Sequence, residues 1–159
     1  YLYNAENNEF RYKVLELIVN EKYSELERLV VEESSKYTRE LNIVKPKIIE
    51  RLIDLGKYGI SWYRIDTLER RYFREIMLEL EEKYDTIIML GVKGEIVERI
   101  HIGSLKGYAK ETLSKLEPII RKYNATGGGR EHAAGIQFIN EKPKLNNLIK
   151  ELKKQIKAS

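Results

Sequence analysis

The stretch 126–135, TGGGREHAAG, constrains this chain more than any other. Glycine loses more backbone freedom on folding than any other residue, so a folded chain with three in a row must need their missing side chains. One use is access: bare backbone N–H groups can form a concave nest for an anion. Ala133, Ala134 and Gly135 then let the chain pass close to a neighbouring element or a ligand. Within the run, Arg130 offers the paired donors that a phosphate accepts, and His132 can donate to the same ligand. The candidate anion contact is therefore Gly127, Gly128, Gly129 and Arg130, with His132 behind them.

The pattern around this run defines the fold class. Apolar residues at helical spacing (Phe10, Val14, Leu17, Ile18, then Leu26, Leu29, Val30, Tyr37, Leu41) predict a helical start, with Ser24 and Glu27 as a capping box. Pro46 suits the first position of a further helix that Gly56 would close. Residues 60–65 (ISWYRI) predict a short strand, and Asp66 with Glu69 a second capping box, opening a helix to about Tyr84. The period then changes. Residues 86–92 read as a buried strand, Lys93-Gly94 as a hairpin turn, and 95–102 as an alternating strand with Ile96, Ile100 and Ile102 on one face. A helix over 108–123 must kink or divide at Pro118. A strand at 136–139 and a last helix opened by Pro143 complete the chain. The expected organisation is a helical N-terminal region, 1–58, before an α+β domain, 59–159.

Composition narrows the chemistry. There is no Cys, so disulfides, Cys–zinc sites and a Cys nucleophile are excluded. Two His and three Asp are fewer than a paired-metal hydrolase site draws on, so a self-contained metallohydrolase is not expected, nor a bound metal or other cofactor. No apolar run approaches a membrane span, and no signal peptide opens the chain. Tyr1 is not Met, so the true start was removed or lies upstream. Residues 1–100 carry 17 Lys/Arg against 20 Asp/Glu, a net of −3, and residues 101–159 carry 12 against 5, a net of +7. A basic C-terminal third fits an anionic partner, and equally fits lysines solvating surface helices. Abundant Lys, Glu and Ile match a heat-adapted protein.

A second basic cluster comprises Arg64, Arg70, Arg71 and Arg74, the last three opposite the apolar stripe of their helix. It reads either as a face for phosphates or an acidic partner, or as a solvated surface neutralised by Glu69, Glu75 and Glu81, and exposed ion pairs favour the second. Of Trp62 and Tyr63, alternation turns one outward; Tyr108 is the better platform for stacking a base, and Tyr1 and Tyr3 either lack order or dock on a partner. His101 falls on the polar phase of its strand as an ordinary, partly exposed imidazole. Ser104 and Lys106 follow that strand, Ser104 either facing the glycine run or capping the next helix.

The GGGREHAAG run resembles the GGGHxxAAG signature of the DHHA1 domain, the substrate-binding domain of DHH-superfamily phosphoesterases and RecJ-type exonucleases. The order hairpin, Gly103-Ser104, helix, glycine motif, strand, helix also agrees, over about residues 60–157. The resemblance implies a DHHA1-like mixed sheet with flanking helices. It departs at Arg130, where the family has His, and no Asp-His-His triplet of the catalytic domain occurs. It is closest to small stand-alone RecJ-related proteins of some archaea. That implies a non-catalytic subunit, cytoplasmic and nucleoid-associated, docking on the GINS complex and the MCM helicase and binding single-stranded DNA. The alternatives are the substrate-binding half of a phosphoesterase whose catalytic domain lies elsewhere, and a nucleotide-binding regulatory domain.

Overall fold

A computed structural model describes residues 8–19 and 23–157. The side chains of Phe10, Leu17 and Ile18, together with Tyr1 and Tyr3, lie outside the described residues. The chain divides between Val44 and Lys45 into two compact units, 1–44 and 45–159. The first holds helix α1 (Asn8–Val19) and most of α2 (Tyr23–Glu50). Pro46 opens no new helix but sits inside α2, so the Asn42 carbonyl loses its usual helical donor. Nor does Gly56 cap a helix. Residues 53–55 form strand β1 (Ile53–Leu55), and Gly56, at φ +82°, starts the two-residue turn into β2 (Tyr58–Arg64). Glycine at the first position of such a turn matches the type II′ geometry that suits paired strands.

The second unit is α+β. Its sheet has six strands in the order β1-β2-β3-β4-β6-β5, where β3 is Thr86–Lys93, β4 Ile96–Gly103, β5 Thr126–Gly129 and β6 Ala133–Gln137. Only β2 and β3 run parallel, joined through helix α3 (Glu69–Glu81); the other pairs are antiparallel. The hairpin turn between β3 and β4 is Gly94-Glu95, one residue later than the sequence places it. Residues 108–123 divide rather than kink, into α4 (Ala109–Lys115) and α5 (Glu117–Lys122), with Pro118 in the first turn of α5 where its missing N–H costs nothing. The last helix, α6 (Leu145–Lys157), begins two residues after Pro143, whose carbonyl instead accepts a hydrogen bond from the Val97 amide at 2.9 Å.

The two faces of the sheet are covered unequally. One carries Ile60, Ile88, Leu90, Ile100, Ile102 and Ile136 against α4, α5 and α6, and forms the larger core. On the other, α3 packs Tyr72, Phe73, Ile76 and Leu80 down over β2, β3 and β4. This cover stops short: Ala133 and Gln137 of β6 and all of β5 are exposed. Trp62 does not turn outward, because both faces of β2 are covered; it is half-buried beneath the Arg51 guanidinium, while Tyr63 is buried on the α3 side. Strand β4 does not alternate throughout. Gly91 opposes Arg99 while Val92 opposes Val97, so Glu98 is an extra residue, a bulge. The core residue is consequently Val97, buried, and not Ile96, which is half-buried.

The Asp66–Glu69 capping box is not formed. Glu69 is buried, and its carboxylate takes a two-pronged hydrogen bond from Arg51 and a third, at 3.1 Å, from the Arg64 amide. The Thr67 hydroxyl accepts from the Glu69 amide at 3.2 Å in place of a cap. Burial alone would raise the Glu69 pKa, but Arg51 and the Arg64 amide outweigh it and hold the group below its ordinary value. The pair ties the end of α2 to the start of α3. Removing one partner leaves the other charge buried, so Glu69→Ala is expected to cost about 3 kcal/mol in urea denaturation at neutral pH. That cost should shrink as the pH falls below the ordinary carboxylate range, where protonation of Glu69 has already released the wild-type pair.

Candidate functional site

The uncovered end of the sheet brings the glycine run, β4 and α3 together. The 126–129 segment is no concave nest; it is extended, the edge strand of the sheet, and two of its three glycines have a local reason. A side chain on Gly127 would meet Ile120 and Leu113 under the sheet, and one on Gly128 would meet nothing. Gly129 has φ +149°, and a Cβ there would lie 2.3 Å from the Ala134 Cα. The turn that follows is closed by the Arg130 amide donating to the Ala133 carbonyl at 2.8 Å. Opposite Gly128 stands Gly135, and opposite Gly135 stands His101, so this row of the sheet is bare beyond the imidazole.

The loop 130–132 is fixed to the end of β4. Ser104 donates its amide to the His132 carbonyl at 3.0 Å, and Ala109 donates to the Glu131 carbonyl at 2.8 Å. The His132 Nδ1 lies 3.0 Å from the Ser104 carbonyl. A carbonyl only accepts, so Nδ1 carries the proton and Nε2 is left for a ligand. Ser104 thus contacts the glycine-motif loop through its backbone. Its buried hydroxyl donates to the Asp85 carbonyl at 2.6 Å and accepts from the Tyr108 amide at 3.0 Å, leading into α4. Lys106 reaches away to the Asp85 carboxylate at 2.6 Å, which raises its pKa. Arg130 is exposed.

A cleft of about 400 Å³ lies between α3 and the strands β4 and β6. Its walls include Arg74, Leu78, Glu81, His101, Leu105 and His132. This joins part of the second basic cluster to the glycine motif. Arg74 enters the cleft, and Arg70 lies close enough to act electrostatically on Tyr63. Arg64 points elsewhere, to the Gly94 carbonyl at 3.3 Å, and Arg71 is half-buried. Two of the carboxylates expected to neutralise the cluster are placed otherwise. Glu69 is held by Arg51, and Glu81 is buried in the cleft beside Gly103, whose bare Cα makes the room. Among the described residues no ion pair joins Arg70, Arg74 or Arg99 to a carboxylate, and Glu98, also felt at Tyr63, lies 3.5 Å from Lys142.

Arg99 and His101 are the residues that sequence reasoning missed. Arg99 is half-buried against Gly91, and its Nε is shut from water with no hydrogen-bond partner. His101 is not an ordinary exposed imidazole. It is half-buried beside the stacked rings of Tyr63 and Phe73, with Nε2 2.8 Å from the Tyr63 hydroxyl. Burial, with Arg74 and Arg99 nearby, lowers its pKa to about 4. The available signal is the alternation of Arg99, His101 and Gly103, polar or bare at every second position. Tyr108 is two-fifths exposed and lines a smaller cavity with Asp85 and Lys115, apart from this cleft. The described residues hold no group of three His, Asp or Glu placed for a metal ion, and no helix long and apolar enough to cross a membrane.

No protein-family model and no curated protein matches the chain. Solved structures do. The DHH domain of a protein described as a member of a family of ribosomal proteins superposes with a TM-score of 0.55 at 14% identity, over 84% of this chain and 34% of that one. The pGpG-specific phosphodiesterase PggH from Vibrio cholerae superposes with 0.51 at 15% identity, over 84% of this chain and 43% of that one. The C-Ala domain of alanyl-tRNA synthetase from Aquifex aeolicus gives 0.43 at 20% identity, over 65% and 96%. At these identities the likeness to the first two shows the fold alone: an α+β unit with a mixed sheet. The chain spans less than half the length of either.

Two outcomes check this geometry. Gly129→Ala should destabilise by roughly 1–3 kcal/mol in thermal or urea unfolding, through its positive φ and the Ala134 contact, whereas Gly128→Ala should be near neutral. His101 has a folded pKa below its unfolded one, so the unfolded chain binds the extra proton between about pH 6.5 and 4. Stability from this group is present above that window and lost as the pH falls through it, by about 3 kcal/mol at most. Wild type minus His101→Gln, unfolded in urea at pH 7 and at pH 4, should reveal that loss.

Proposed function

We propose that this chain is a non-catalytic, DHHA1-like module that grips the phosphate backbone of single-stranded DNA along the uncovered end of its sheet. The observation that carries the reading is the group of Arg70, Arg74 and Arg99, which no described ion pair joins to a carboxylate, beside strands whose face on that side α3 leaves uncovered. Neighbouring guanidinium groups left without carboxylates are stabilised by a phosphate, and bare strands let a backbone come close. Gly127, Gly128, Gly129 and Arg130 extend the track along the sheet edge, with His132 Nε2 as a further donor when protonated. Ser104 and Lys106 support the site by shaping the loop beneath it. In this proposal the chain serves the archaeal replication machinery, docking on the GINS complex and the MCM helicase, as the glycine motif's resemblance to small archaeal RecJ-related proteins implies.

A second reading makes the chain the substrate-binding half of a DHH-type phosphoesterase. It is favoured by the coverage: the chain matches less than half of a neighbour that is itself named a phosphodiesterase. Affinity purification from the native cell after nuclease treatment separates the two. Recovery of GINS or MCM supports the first; recovery of an Asp-rich hydrolase chain supports the second.

The DNA-binding claim is tested directly by fluorescence anisotropy on a labelled oligo-dT across a salt series. Affinity should fall steeply as salt rises, through counterion release. Arg99→Ala and Arg74→Ala should each weaken binding about tenfold and reduce the log–log salt slope by about 1. Affinity independent of salt would remove the basic track from consideration and leave protein docking.

A further inference from the structure

The cleft holds one group that phosphate binding does not use. Glu81 is more than nine-tenths buried, and among the described residues its carboxylate, which lines the cleft, has no hydrogen-bond donor, only the nearby charge of His132. Burial of an unpaired carboxylate is costly, and a folded chain that keeps one leaves two strong acceptors waiting for a ligand. The surroundings define that ligand. The carboxylate sits in the space left by Gly103, in a cleft whose exposed surface is mainly apolar and whose rim carries Leu78 and Leu105, both more than half exposed. The ligand is therefore flat or slender and largely apolar, with two donors side by side at its inner end.

Two chemical classes present such a pair: a guanidinium and the Watson–Crick edge of guanine, with its N1–H and N2–H. The charge of the site decides between them. Arg74 lines the same cleft, and Arg99 acts on the same imidazole, His101, as Arg74 does. A cation entering here meets like charge; a neutral base bearing a phosphate meets charge that suits it. Arg74 and Glu81 are seven residues apart on α3, about 10 Å along the helix axis. That is comparable to the span of one nucleotide from base edge to phosphate.

We infer that the cleft between α3 and β4 is a guanine-holding pocket, in which Glu81 accepts the N1–H and N2–H of one base while Arg74 and Arg99 hold its phosphate. The inference rests on the phosphate-binding reading above and adds base selection to it. Carboxylate recognition of base donors discriminates by about 1–3 kcal/mol per good pair, which is roughly five- to 150-fold in affinity.

The experiment measures anisotropy of the full chain with labelled oligo-dT, and competition by GMP, IMP and AMP. GMP should compete at least tenfold better than AMP, with IMP between them because it keeps N1–H and lacks the 2-amino group. Glu81→Gln should erase the preference for GMP while leaving oligo-dT affinity within a factor of two, with a melting temperature equal to or above wild type. If oligo-dT binds and the three nucleotides compete equally, or Glu81→Gln leaves the preference intact, the guanine pocket is wrong and the phosphate track stands. If neither oligo-dT nor any nucleotide binds, the phosphate reading and the pocket both fall.

Discussion

A sheet of six strands has two faces to shield, and the described helices of the second unit cover one and part of the other. Helices α4, α5 and α6 take the first face, with Ile60, Ile88, Leu90, Ile100, Ile102 and Ile136 beneath them. Within the second unit and among the described residues, α3 lies over the second face, where it reaches β2, β3 and β4, and the end of α2 is tied to β2. Strands β6 and β5 therefore meet solvent on that side, and the sequence there has shed its apolar side chains accordingly: glycine, alanine and glutamine where isoleucine would have been a liability. The glycine run, the cleft and the cationic group all follow from where α3 stops. Glu69, clasped by Arg51 and the Arg64 amide, fixes the start of α3, and Ser61, which donates to the Ile48 carbonyl at 2.7 Å, ties β2 to the end of α2.

Much of this can be read from residue order. Periodicity locates α3 and α6 closely by their apolar stripes, and β3 and β4 stand out as a buried apolar run and an isoleucine-rich segment on either side of the Gly94 turn. The α+β class follows from the change of period near Thr86. What residue order does not hold is anything that depends on a partner far along the chain. Glu69 looks like a capping residue for Asp66 and becomes a salt-bridge partner only because Arg51 arrives from beyond the end of α2. Pro46 looks like a helix start, but the turns on either side of it keep α2 continuous across the missing hydrogen bond. The glycines look like a loop because strand-forming residues are absent; their strand character comes from pairing with Ala134, Gly135, Ile136 and Gln137.

The site is legible in part. Among the candidate residues, the glycine motif marks Arg130, His132 and the glycines, and helical spacing marks Arg74 on α3. Arg99 and His101 do not, since each is an ordinary residue on an ordinary-looking strand. Their character comes from neighbours: Gly91 makes space for the Arg99 stem, and the Tyr63 hydroxyl engages His101. Glu81 reads, by spacing, as a surface carboxylate balancing arginines. Its seat opposite Gly103 depends on the angle at which α3 crosses β4, which no local pattern encodes.

The bulge at Glu98 carries a larger consequence than its single residue implies. Val97 and Ile100 both point into the same core although they are three positions apart, an odd interval that a regular strand would send to opposite sides. The supernumerary residue acts as a parity switch. With the bulge, Arg99, His101 and Gly103 look out beneath α3; the same residues in unbroken alternation from the Gly94 turn would drive the guanidinium and imidazole into the hydrocarbon and push Ile100 and Ile102 into the cleft. Deleting Glu98 itself would leave Val97 opposite Val92 and Arg99 opposite Gly91, with every side chain on its present face, whereas adding or removing one residue between Arg99 and Gly103 would exchange the faces of all that follow it, so spacing in this strand shapes the candidate surface as much as charge does.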